Sequence, residues 1–164
     1  MRSLGLLILR IVTGGLLLAH GYTKLFGGEN KKPPEPMRKI YGKNFEAAVE
    51  RGGPDAFAQA LEQMKVPAPK ASAYLSGVAE FGGGLALLLG FQTRAAAPAV
   101  MFNMGTAIRK VHWDNGFYGE GGYEFPLLVG ASALTLFLAG PGAISIDAVT
   151  GALKAAGSHD EDEA

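Results

Sequence analysis

The residues of this chain that can do chemistry stand in otherwise apolar surroundings. Two imidazoles (His20, His112), an ammonium (Lys24), a guanidinium (Arg109), two carboxylates (Glu80, Glu124) and a phenol (Tyr123) can donate, accept or hold protons. Ionisable groups in such segments are costly unless they pair or face water, so they mark either a structural ion network or a ligand or proton path. Glu80 poses the question most sharply. A buried carboxylate needs a cationic partner, which His20 or Lys24 would supply. The plain alternative, an ion pair that only joins two helices, uses the same residues. Arg10 and Asn103 are the remaining polar residues of this kind. Arg10 either snorkels to the far headgroups or makes an inward structural bond, and Asn103 is its nearest polar candidate by depth. Asn103 itself reads most simply as an interhelical hydrogen bond. Metal binding is the weaker idea, because His20 and His112 are expected to differ in depth by more than a helical turn.

Four apolar segments must position these groups. The first, Leu4 to Phe26, covers about 34 Å as a helix, enough to cross a bilayer. It resembles a signal peptide in its early residues, but its apolar run is too long and Arg10 interrupts it, so a retained membrane helix is expected. The second span is Ala73 to Phe91, in which Gly82 to Gly84 suit close helix packing. The third runs from Arg94 to His112 and tolerates Pro98 about one turn in. The fourth, Phe125 to Ile146, is cut by Gly140-Pro141-Gly142. The expected fold is therefore all-α: a four-transmembrane-helix bundle over residues 1–150, with a polar, partly helical insert (28–72) between the first and second spans. An acidic tail, 151–164, is expected to be disordered.

Within the insert, Pro33, Pro34 and Pro36 preclude an uninterrupted helix at its start. Asp55 to Met64 is expected to be helical, since Phe57, Ala60, Leu61 and Met64 form an apolar stripe. That helix could lie on the membrane, lid a cavity or simply pack on its own bundle. The short link Phe91 to Arg94 forces the second and third spans into an antiparallel hairpin. The loop Trp113 to Glu124, rich in aromatics and glycine, fits an interfacial belt, and reads either as a re-entrant or interfacial loop or as a cap over a ligand site.

The insert side of the bundle is the near side. His20 falls about 9 Å below the near end of its helix and Glu80 about 11 Å down the next, so the two are level. Lys24 lies one turn above His20. Topology then brings Arg109, His112, Tyr123 and Glu124 towards the same surface. Lys and Arg are more numerous there, which points that side to the cytoplasm, but the acids of the insert leave orientation open.

The 164 residues suit one domain, and the formal net charge of +0 with no basic stripe argues against a nucleic-acid partner. Absence of cysteine removes disulfide and dithiol chemistry from this chain. No G-x-G-x-x-G follows a strand, so the chain shows no nucleotide or flavin fingerprint and no complete catalytic machinery.

Three elements taken together resemble the DoxX family of small four-helix membrane proteins: HGYTKLFGG, then EFGGGLALLLGFQTR, then HWDNGFYGEGGYE. The resemblance covers the four spans and leaves out the insert and tail. It reaches Arg10, His20, Gly21, Lys24, Glu80, Arg94, His112, Asn115, Gly116, Tyr123 and Glu124, without a catalytic role for any of them. It implies a bacterial-type cytoplasmic (inner) membrane location and a link to redox metabolism, since the namesake resembles a subunit of thiosulfate:quinone oxidoreductase.

The leading expectation is a membrane subunit or quinone-interacting partner of an oxidoreductase system. Its partners would be the lipid bilayer, a redox protein and quinone, the only cofactor considered. His20, Lys24, His112 and Tyr123 would supply hydrogen bonds to a quinone. The rivals are a non-enzymatic anchor or assembly factor, and a small-solute or proton-conducting protein.

Overall fold

Glycine decides how the two long helices meet. Helix α1 (Arg2–Phe26) and helix α4 (Pro69–Leu89) run antiparallel and pack along most of their length. A side chain at Gly14 would begin 2.7 Å from the Gly84 carbonyl oxygen, and one at Gly77 would begin 2.6 Å from Leu25. Gly21 lies against the Phe81 backbone in the same way. The small residues let the backbones touch, which is how helices associate where no hydrophobic effect separates them from their surroundings.

The computed structural model describes residues 1–153. The acidic run Asp160 to Glu163 belongs to the expected tail and lies outside the described residues, whereas residues 146–153 are helical. Every regular element among the described residues is helical. Between α1 and α4 lie α2 (Glu35–Arg51) and α3 (Pro54–Gln63). After α4 comes α5 (Thr93–Ala107), which continues as a π-helical turn, Ile108–His112, and a 3-10 turn, Trp113–Asn115. Helix α6 (Glu124–Ala139) follows the aromatic loop. Leu6, Leu17, Leu87, Ala97, Val100, Met104, Val129, Ala133 and Leu136 form the buried core where α1, α4, α5 and α6 converge.

Helices α1 and α4 are long and apolar enough to cross a membrane, with mean hydropathy of 1.8 and 1.3 over their most apolar windows. Helices α5 and α6, of 15 and 16 residues, are shorter than a bilayer requires. The reasons are local. The π turn interrupts α5, and Gly140, at φ 76°, ends α6 before the expected span is complete. The described residues thus contain two helices of spanning length rather than four.

The insert contains more helix than its prolines suggest. Pro36 occupies the first turn of α2, where its missing N–H would be unpaired in any residue. Gly42, at φ 80° and ψ −170°, breaks the helix midway. Helix α2 lies alongside α1: Phe45 packs on Tyr22 at 5.9 Å between ring centroids, and the Tyr41 hydroxyl donates to the Gly15 carbonyl at 2.9 Å. Main-chain bonds from Gly28 N to Val49 O and from Gly53 N to Thr23 O, both 2.8 Å, tie α2 to the end of α1. Helix α3 matches the expected stripe and packs mainly on α4.

At the other end, the chain after α6 folds over the α4–α5 turn. Arg10, only 2% exposed, is the centre of this closure. Its Nε donates to Leu87 O at 2.9 Å and its Nη2 to Leu88 O at 3.0 Å. Its Nη1 donates to Pro141 O at 2.8 Å and to Ile144 O at 2.7 Å. Arg10 therefore turns inward and does not snorkel, and its partners are main-chain carbonyls and not Asn103. Gly90, at φ 64°, ends α4 where a Cβ would begin 2.7 Å from the guanidinium carbon. Asp147 completes the closure by accepting the main-chain N–H groups of Gln92 at 2.7 Å and Thr93 at 3.0 Å, capping α5.

Candidate ligand site

Glu80 lies on the face of α4 that carries Gly77, Gly83 and Gly84, and close packing there brings it inside, 4% exposed. Lys24 lies one turn after Gly21 on α1 and faces the same seam. Its Nζ is 2.6 Å from Glu80 Oε1 and donates to Ser76 Oγ at 3.2 Å. Asn103, on α5, donates through Nδ2 to the same Oε1 at 2.9 Å. One carboxylate thus joins three helices. Its other oxygen, Oε2, is buried and has no hydrogen-bond partner.

These groups border a cavity of about 600 Å³, lined by parts of α1, α3, α4, α5, the π turn and α6. Its polar lining includes His20, Lys24, Glu80, Asn103, Lys110 and His112. Phe57 and Leu61 of α3 form an apolar wall, and the Phe57 ring centroid is 4.6 Å from Lys24 Nζ. Leu75 and Phe102 also line the cavity yet are 71% and 80% exposed, so its mouth lies on the outer apolar flank of α4 and α5.

His20 is exposed, level with the cavity, and its ring is 5.6 Å from that of Phe125. It is Lys24, one turn higher, that reaches Glu80. Nδ1 of His112 is 2.7 Å from the Gly121 carbonyl oxygen, which only accepts, so Nδ1 carries a proton. In the neutral ring Nε2 is then an acceptor.

Three of the expected site residues stand apart from the cavity. The Arg109 guanidinium lies 6.0 Å from the Trp113 ring centroid. Tyr123 stacks on Trp113 at 5.6 Å, with Phe117 edge-on at 5.5 Å. Glu124 accepts the Gly119 N–H at 3.4 Å. The π turn rotates Arg109 outward, and the loop from Trp113 to Glu124 folds on itself, so the wider cluster does not assemble. Among the described residues, no group of three or more His, Asp or Glu is placed to hold a metal.

Asn103 as a partner of Glu80 was not expected, whereas Phe57 as a wall matches one of the roles open to its helix, a lid over a cavity. Sequence held a signal for the first: Glu80 and Asn103 stand at equal spacing either side of the Phe91–Gln92 turn. No such pattern announces Asp147, whose partners are main-chain amides.

Fold and site define an all-α protein with two helices of membrane-spanning length and an ion pair buried beside an apolar-mouthed cavity. The DoxX family model matches residues 5–113, and the chain belongs to this family of membrane proteins. No curated protein and no solved structure matches the chain.

Proposed function

We propose that this chain is a quinone-interacting membrane subunit or partner of an oxidoreductase system in a bacterial-type cytoplasmic membrane. In this reading α5 with its π turn, and α6, cross the bilayer beside α1 and α4. The exposed Leu127, Leu128, Leu134, Phe137 and Leu138 of α6 support its lipid contact, since a water-exposed surface rarely carries such a patch.

The observation that carries the proposal is the polarity gradient of the cavity. Its inner end presents Glu80, Lys24 and Asn103, while its mouth passes between exposed Leu75 and Phe102. A quinone has that shape: a ring with two polar oxygens and a hydrocarbon tail that stays in lipid. His20 and His112 are the imidazoles available to the ring oxygens, and the tail leaves across Leu75 and Phe102. The electrons come from a partner protein.

Protein purified from its native membrane in mild detergent tests the proposal. Lipid extracts of the wild type are expected to contain bound quinone, and those of His20→Ala markedly less. Extracts without quinone, with wild type and variant alike, would remove it.

A further inference from the structure

The two oxygens of Glu80 have opposite surroundings. Oε1 takes donors from Lys24 at 2.6 Å and Asn103 at 2.9 Å, while Oε2 is shielded from water and unpartnered. An unmet buried acceptor is costly, and native structures rarely keep one without a reason. Lys24 Nζ stands 2.6 Å from Oε1, the geometry of an ion pair, and a carboxylate in such a pair accepts and never donates. Of the protein donors that line the cavity, Lys24 also serves Ser76 and Nδ1 of His112 serves Gly121, and neither these nor His20 or Lys110 bonds Oε2. Since Glu80 borders the cavity, a small turn of its carboxylate would bring Oε2 to a donor that the cavity holds.

We infer that the cavity selects the reduced, dihydroxy form of its aromatic carrier, one hydroxyl donating to Glu80 Oε2. This rests on the quinone reading above and adds its redox preference. The two forms differ by two electrons and two protons. The oxidised form offers carbonyl oxygens only, and a carbonyl facing Oε2 sets two acceptors against each other with no hydrogen between them. The reduced form supplies the missing donor. Tighter binding of the reduced form also makes the bound carrier easier to reduce, by about 30 mV for each tenfold difference in affinity. The site thereby favours electron arrival.

The test is anaerobic titration of purified wild-type protein in detergent with three probes of one shape. They are trimethylhydroquinone, trimethylbenzoquinone and the dimethyl ether of trimethylhydroquinone. The hydroquinone is expected to bind at least about tenfold tighter than either analogue, as a site built around a hydroxyl rejects ligands lacking one. In Glu80→Gln that gap is expected to narrow or invert, because an amide also offers donors. The wild-type comparison decides even where the variant does not fold. Equal binding of hydroquinone and benzoquinone would overturn the redox preference and leave the quinone reading standing. Binding of none of the three would overturn both.

Discussion

Arg10 and Glu80 are both charged, both buried, and both on the seam between α1 and α4, yet the protein treats them differently. Arg10 makes four hydrogen bonds to the carbonyls of Leu87, Leu88, Pro141 and Ile144. It closes the end of α4 onto the chain after α6. Glu80 has both its donors on one oxygen, none on the other, and a cavity beside it. A charge satisfied by the fold is scaffolding; a charge left half-satisfied at a cavity is a place for something else. Burial alone would not have separated them.

The largest effect expected is at Arg10. Arg10→Leu leaves the α4 terminus and the chain after α6 without their shared donor, and removing one side of a buried charged network costs about 3–5 kcal/mol. Loss of folded yield, or a large fall in unfolding midpoint in detergent, would be measured. Arg10→Lys is expected to rescue little, since an ammonium cannot reproduce the planar fork. A near-normal midpoint for Arg10→Leu would break the comparison.

Glu80→Gln is expected to be far milder for the unliganded protein, about 1 kcal/mol, the net worth of an ordinary hydrogen bond. Lys24 keeps Ser76, and its side chain is 20% exposed, so water can take the vacated place. Chemical unfolding of the unliganded variant beside wild type checks this.

The smallest effect is expected in the insert, where a solvent-exposed pair sets the baseline. A hydrogen bond from Arg38 holds the Glu35 carboxyl below its ordinary range, and the Arg38 guanidinium is raised in return. Because the folded value of Glu35 is depressed, its contribution is present above the ordinary carboxylate range. It is lost as pH falls through the lowered value. Exposure and screening make it small, so the pH-dependence of unfolding in Glu35→Gln should overlay the wild type.

Much of the scaffold was legible because it rests on periodicity and small residues. The apolar runs located α1 and α4, the stripe through Phe57 and Leu61 located α3, and helical rise set Glu80 level with His20, one turn from the Lys24 that it pairs with. Helix α2 was obscured because proline was read as a breaker, although Pro36 lies in the one turn that accepts it. Arg109 and Glu124 were expected at the site because depth was reckoned along a regular helix, and the π turn at Ile108–His112 does not keep that register. The partners of Arg10 and Asp147 are main-chain groups, which every residue carries, so side-chain pattern could not reveal them.

Thermal unfolding of purified wild-type and Glu80→Gln protein in detergent, with and without trimethylhydroquinone, tests the central claim most directly. Ligand that binds only the folded state raises the midpoint by mass action. A clear upward shift is expected for wild type, a smaller one for Glu80→Gln, and unliganded midpoints close to one another. A wild type unmoved by the ligand, with unliganded Glu80→Gln melting as low as Arg10→Leu, would show that Glu80 is scaffolding too.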